Sequence, residues 1–173
     1  SDYGSGLITP TLVSRLKVKA RKLRRQIPIL LDTRYGLLRY KGLTACAPNE
    51  TEVENTLGIK IADNKRVLEK AGKELLARTH MSAVLITRGS RGMALFQANH
   101  PMVTIPIFGS DEVADVTGAG DTVIATVTLA LAAGANFEQA ARLANYAAGL
   151  VVMKRGTSTV DVDELRRALS LDN

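Results

Sequence analysis

Asp115-Val-Thr-Gly-Ala-Gly-Asp-Thr122 runs straight into the apolar stretch Val123–Ala133. Two glycines, Gly118 and Gly120, let the backbone bend closely around a ligand. A helix that starts here leaves its first N–H groups without partners, and its dipole favours negative charge at that end. The segment reads as an anion site with a carboxylate, Asp121, at its mouth. A carboxylate beside bound phosphate is unfavourable unless it has a chemical role. Taking a proton from an attacking hydroxyl is such a role. No Gly-Lys-Ser/Thr follows, so this is not a Walker A loop. The competing reading makes Asp121 an ordinary helix cap and the glycines a tight turn.

Outward from this segment, helix and strand patterns alternate. That predicts an α/β fold, with a mainly parallel sheet covered by helices on both faces. Thr9-Pro10 opens a first helix as N-cap and first helical residue. Leu12, Leu16, Ala20, Leu23 and Ile27 then recur at helical spacing. Strands are expected at 28–32, near 43–47, at 83–87, at 93–97 as a hairpin partner, and at 102–107. Helices are expected at 50–57 ending at Gly58, and at 64–79, 121–133, 137–153 and 162–169. Ser1–Gly6 is a glycine-rich loop with no strand in front of it, whereas such loops normally follow a strand end. The chain is therefore expected to form a single partial domain over 1–173.

The composition excludes several classes. The chain has 173 residues, 46% apolar and 23% charged, which suits one globular domain. Trp is absent and aromatics are few, so the core must be aliphatic. The single Cys46 excludes an internal disulfide and a multi-cysteine zinc site, and fits a cytoplasmic, reducing compartment. His80 and His100 lack ligand-like spacing. Val123–Ala133 is too short to span a bilayer, and no signal-peptide pattern is present, so no membrane association is expected. The net charge of +6 favours anionic partners. The basic run Arg15, Lys17, Lys19, Arg21, Lys22, Arg24 and Arg25 lies mostly off the apolar stripe and reads as a solvated face. It lacks stacking aromatics, so nucleic acid is not the expected partner.

Three further segments carry chemistry. Asn49 and Glu52 in Pro48-Asn-Glu-Thr-Glu52 would share one face of a helical turn. An amide oxygen and a carboxylate suit Mg²⁺ and its water shell; a capping box explains the same pair. Leu85-Ile-Thr-Arg-Gly-Ser-Arg-Gly92 is a strand entering a glycine-rich turn. Thr87, Ser90 and nearby N–H groups could meet a nucleotide, and a plain hairpin explains the glycines equally well. Ala144-Asn-Tyr-Ala-Ala-Gly149 is a helix of small residues whose strongly polar member is Asn145, suited to close packing on a flat ring or on another helix.

Taken in order, Asn-x-x-Glu, Thr-Arg-Gly-Ser-x-Gly, Asp-x-Thr-Gly-Ala-Gly-Asp and a small-residue helix ending in Lys/Arg-x-Gly resemble the ribokinase/PfkB carbohydrate kinases. The resemblance covers nearly the whole chain and implies a ribokinase-like three-layer αβα sandwich. It implies that Asp121 is the catalytic base and that Gly118, Ala119 and Gly120 form the anion hole. It assigns Thr87, Gly89, Ser90, Gly92 and Asn145 to nucleotide binding. Asn49 and Glu52 would organise Mg²⁺ through water, and Asp115 with the backbone of Thr117 would hold a monovalent cation, K⁺.

Within the family, the start Ser-Asp-Tyr-Gly, Leu31-Asp-Thr-Arg34, Tyr40-Lys-Gly42, Thr44 and Pro48-Asn49 look like D-glycero-heptose-7-phosphate kinases of lipopolysaccharide precursor synthesis. This chain departs from them at Ser5, where they usually carry Lys, and at Thr33, where they usually carry Pro. The resemblance implies ATP as phosphoryl donor, a small sugar phosphate as acceptor, and a homodimer. It also places most sugar contacts and the lid in an N-terminal half that precedes this segment. Another PfkB kinase, such as a ribokinase or fructokinase, or a non-catalytic nucleotide-binding fragment, are the alternatives.

Overall fold

The structure, a computed structural model, describes residues 1–23, 27–109 and 115–171. Five strands form one sheet: β1 (Leu30–Leu31), β2 (Ala45–Cys46), β3 (Ala83–Thr87), β4 (Met93–Gln97) and β5 (Val103–Ile105), ordered as in the chain. β1, β2 and β3 are mutually parallel. β4 is antiparallel to β3, and β5 to β4, so β4 alone opposes the common direction. Six α-helices accompany the sheet among the described residues: α1 (Pro10–Arg21), α2 (Glu50–Leu57), α3 (Lys65–Thr79), α4 (Ala119–Ala132), α5 (Phe137–Val152) and α6 (Val162–Leu171).

The pleat explains the layers. Successive strand residues point to opposite faces. Val84 and Ile86 of β3, with Ala94 and Phe96 of β4, share a core with Val53 of α2 and with Leu68 and Leu75 of α3. Leu85, Met93, Leu95 and Ile105 share the opposite core with Val123 and Val127 of α4 and Ala140 and Ala144 of α5. Both faces are covered, so β3 reads as a continuous apolar run rather than an alternating one. This is the expected αβα sandwich. Cys46 is buried in it, and burial pushes its thiol up to about 12.

Several element boundaries and the burial of the first helix differ from expectation. The first two strands shrink to two residues each. At the start of β1 a side chain replaces a ladder partner, because the Ile29 N–H donates to Thr44 Oγ1. At its end the neighbour is the N-terminal segment: Asp2 N–H donates to the Asp32 carbonyl, and Arg34 N–H to that of Asp2. α4 begins at Ala119 rather than Asp121, because Gly118 takes φ +82° and becomes the N-cap. α1 ends at Arg21, so Leu23 and Ile27 of the expected stripe lie beyond it; these two, Leu12 and Leu16 are exposed, and Val13 is the buried residue of the helix. Among the described residues Val13 is the α1 side chain in the buried core cluster. Arg24 and Arg25 lie outside the described residues. Among the described residues no helix is long and apolar enough to cross a membrane.

The small residues of α5 have a packing reason. A Cβ on Gly149 would stand 2.4 Å from the Phe108 carbonyl oxygen and 3.0 Å from its ring. Gly149→Ala should gain about 1 kcal/mol of helix propensity but lose more to overpacking, typically about 1–3 kcal/mol. The expected outcome is a lower midpoint in thermal unfolding; an unchanged or higher midpoint would contradict this packing.

Candidate active site

The strand ends that run parallel carry the site. Asp32 follows β1, Asn49 follows β2 and Thr87 ends β3. Asn49 and Thr87 are joined by a parallel bridge, with Thr87 N–H donating to the Pro48 carbonyl. Opposite them lies the start of α4. Between these elements is a cleft of about 690 Å³, lined among others by Tyr3, Asp32, Arg34, Asn49, Glu52 and Asp121. A second cavity of about 330 Å³, lined by Thr87, Gly89, Ser90, Gly92, Ala119 and Asn145, adjoins it. Asn49, Thr87, Val116 and Gly120 line both. This is the position outside the carboxyl ends of parallel strands where open α/β sheets bind ligands.

The start of α4 leaves backbone donors open. With Gly118 as N-cap, the first helical N–H, that of Ala119, turns back to the Val116 carbonyl at 3.2 Å. Among the described residues the next two amides, Gly120 and Asp121, have no acceptor. Of the expected anion hole, Ala119 N–H is therefore already engaged. The cap reading of Asp121 is not what the structure has: Gly118 is the N-cap and makes no side-chain bond. The Asp121 carboxylate is exposed at the cleft, accepting from Ser1 Oγ on Oδ1 at 2.9 Å and from Tyr3 Oη on Oδ2 at 2.7 Å. A Cβ on Gly120 would meet nothing within 4 Å, so this backbone stands open to the cleft.

Asn49 and Glu52 do form a capping box. Asn49 Oδ1 accepts from Glu52 N–H at 2.8 Å, and Glu52 Oε2 accepts from Asn49 N–H at 2.9 Å. The two residues nonetheless face the cleft, so the cap fixes them there. Burial pushes the Glu52 carboxyl up; the Asn49 amide opposes this, and the Asp32 charge adds to it. Asp32 is also raised, first by burial and then by the Asp121 charge. The cleft thus holds repelling carboxylates beside the cation Arg34. Among the described residues no cluster of three or more acidic, histidine or cysteine side chains could hold a metal directly.

The turn expected to meet a nucleotide is a hairpin, as its glycines allowed. Gly89–Arg91 forms a single 3-10 turn between β3 and β4. Gly92 has φ +72°, and a Cβ there would lie 2.1 Å from the Ile105 carbonyl oxygen, so glycine is required. Asn145 is buried and donates from Nδ2 to the Pro106 carbonyl at 2.8 Å. Asp115 lines neither cavity. Its carboxylate accepts from Thr117 N–H and Gly156 N–H, tying two loops, and these bonds hold it below the usual carboxylate range. Thr117 lines the larger cleft.

Two sets of residues escaped the motif reading. Tyr3 and Ser1 reach Asp121 across 118 and 120 positions of sequence. Glu50, 9% exposed, pairs with Arg88 at 2.7 Å and Arg91 at 2.6 Å, clamping the β3–β4 turn to the start of α2. No local spacing signals either contact.

Comparison with known proteins agrees with the α/β fold. The profile described as "pfkB family carbohydrate kinase" matches residues 16–164. The bifunctional protein HldE of Geobacter sulfurreducens is 43% identical over 174 residues, covering 100% of this chain and 35% of that protein. That of Haemophilus ducreyi is 42% identical over 170 residues, covering 98% of this chain and 34% of that one. The chain spans about a third of the length of the curated relatives it matches. The structure of Arabidopsis thaliana ribokinase complexed with ribose and ATP matches with a TM-score of 0.73 at 28% identity, over 82% of this chain and 47% of that one. Escherichia coli phosphofructokinase-2 in complex with potassium matches in fold, with a TM-score of 0.79 at 19% identity, over 96% of this chain and 54% of that one.

Glu50→Ala would leave the Arg88 side chain, 12% exposed, without its carboxylate. The expected loss is about 2–3 kcal/mol, read as a lower urea midpoint at unchanged m. A variant as stable as the parent would show that the clamp carries no weight.

Proposed function

Because this chain belongs to the pfkB family of carbohydrate kinases, we propose that it carries the nucleotide-binding and base-bearing part of an enzyme that transfers the γ-phosphoryl group of ATP to a sugar hydroxyl. The observation that supports this most is the pairing at the start of α4. The exposed Asp121 carboxylate and the unpartnered Gly120 and Asp121 amides stand together at the cleft. In this reading Asp121 takes the proton of the acceptor hydroxyl as that oxygen bonds to the γ-phosphorus. The bond to the bridging oxygen breaks and ADP leaves. The α4 amides take up charge on the transferred group, where preorganised donors do most for phosphoryl transfer. The smaller cavity, with Thr87, the Gly89–Arg91 turn and Asn145, would hold the nucleotide.

The residues fit a divalent cation held through water. Glu52 and Asp32 are raised carboxylates sharing one cleft with the amide of Asn49, a donor set that a cation would relieve. Mg²⁺ bound there would neutralise phosphate charge and draw the ATP phosphates into line. A K⁺ near Asp115 and Thr117 is the corresponding monovalent reading. Asp115 keeps its charge beside that loop, and the phosphofructokinase-2 structure carries potassium.

The acceptor we favour is heptose 7-phosphate, giving heptose 1,7-bisphosphate toward ADP-heptose. The support is the likeness of 1–4, 31–34 and 40–42 to heptose-phosphate kinases. Relatives named bifunctional protein HldE also match along the whole chain. A soluble cytoplasmic enzyme acting as a homodimer completes the proposal.

Asp121→Asn should lower turnover roughly a hundred- to ten-thousand-fold and leave ATP affinity unchanged. Coupled ADP release with heptose 7-phosphate, ribose and fructose 6-phosphate reads the first quantity, and calorimetric titration of the chain with ATP and magnesium reads the second. Gly120→Val, which adds a side chain where the cleft is open, should weaken ATP binding as well as turnover. Full turnover in Asp121→Asn would defeat the assignment of the base.

A further inference from the structure

Tyr3 is an aromatic residue that the core does not explain. It is 54% exposed, so burial gives little reason for a ring at this position. Its placement is nonetheless fixed. The preceding Asp2 is buried, pinned by Thr33 Oγ1, Tyr40 Oη and the Gly4 N–H, and its backbone pairs with the end of β1. Held this way, Tyr3 points its hydroxyl across the cleft to Asp121 Oδ2 at 2.7 Å. The Arg34 guanidinium lies over its ring, 4.9 Å from the centroid.

Resting on the kinase reading above, we propose that Tyr3 is the positioning residue of this site, holding the base through its hydroxyl and the cation Arg34 through its ring. The phenol can only donate while it keeps its proton. A carboxylate oxygen has two lone pairs, so Oδ2 accepts from Tyr3 and still has one free for the acceptor hydroxyl. Tyr3 thereby fixes the carboxylate plane without competing for the proton. The charged groups facing it are Asp121, Asp32 and Arg34, with Glu52 on the same cleft wall. The hydrogen bond to Asp121, and then its charge, hold the phenol above its ordinary range. Hence Tyr3 stays a donor through neutral and mildly alkaline pH. Above its raised value the donor is lost, and a phenolate stands against the base.

Two readouts test this, one of them independent of kinase activity. Alkaline difference spectra at the tyrosinate band should contain a late component that disappears in Tyr3→Phe and moves to lower pH in Asp121→Asn. In sugar-dependent ADP release, Tyr3→Phe should lower kcat about tenfold with the KM for ATP unchanged. It should also abolish the alkaline fall in rate. Tyr3→Leu, which removes the ring as well, should weaken turnover further. Burial and Asp2 raise Tyr40 as well, so the component read is the one lost in Tyr3→Phe: if that component ignores Asp121→Asn, or if Tyr3→Phe keeps the parental kcat and alkaline limb, the proposal is overturned. If no sugar is phosphorylated by the parent enzyme with its sugar-binding part present, the kinase reading falls, and the tyrosinate titration of this chain still decides whether Tyr3 and Asp121 are paired.

Discussion

Gly118 sits at φ +82°, a region that side-chain-bearing residues rarely occupy. That single backbone turn lets α4 begin at Ala119, with Asp121 in its first turn rather than ahead of it. Two amides and one carboxylate consequently share a helix end. The amides attract negative charge and the carboxylate repels it. A site with that conflict suits a ligand that brings anionic oxygens together with a proton to be removed. The rest of the structure keeps this turn facing the parallel strand ends.

The sandwich supplies the rigidity. α4 and α5 pack on one face of the sheet and hold the open amides of α4 in place, while α2 and α3 pack on the other. The opposite wall is set by caps and ion pairs: the Asn49–Glu52 box and the Glu50 clamp on the hairpin turn, while the Asn145 bond to Pro106 fixes the α5 side. These contacts look structural one by one. Their joint effect is to point Asn49, Glu52, Thr87 and Ser90 at the space in front of α4.

Much of this was legible because it is local. The apolar runs at 83–87 and 93–97 with glycines between them specify the β3–β4 hairpin. Asn64, Asn136 and the pair Asn49–Glu52 mark helix starts within three residues. The Gly-Ala-Gly-Asp segment declared its own turn, although the helix began two residues earlier than its apolar run suggested. The leucines of α1 misled because periodicity shows that a stripe exists, not what covers it; Val13 meets the core and the stripe does not. Tyr3 on Asp121 and Glu50 between two arginines could not be read at all, since those contacts span tens of residues and leave no periodic trace. β1 ended early for a related reason: a threonine side chain takes the Ile29 N–H at its start and the distant Asp2 segment pairs with the chain after its end.

The most direct measurement is a ¹⁵N–¹H amide spectrum of the chain titrated with ATP and magnesium. Binding at the start of α4 would shift the amides of Gly120 and Asp121 together with those of Gly89 and Ser90, and would do so less in Gly120→Val. Shifts confined to the basic face of α1, around Lys17 and Arg21, with the α4 amides unmoved, would mean that the positive charge of the chain attracts the nucleotide and the helix end does not.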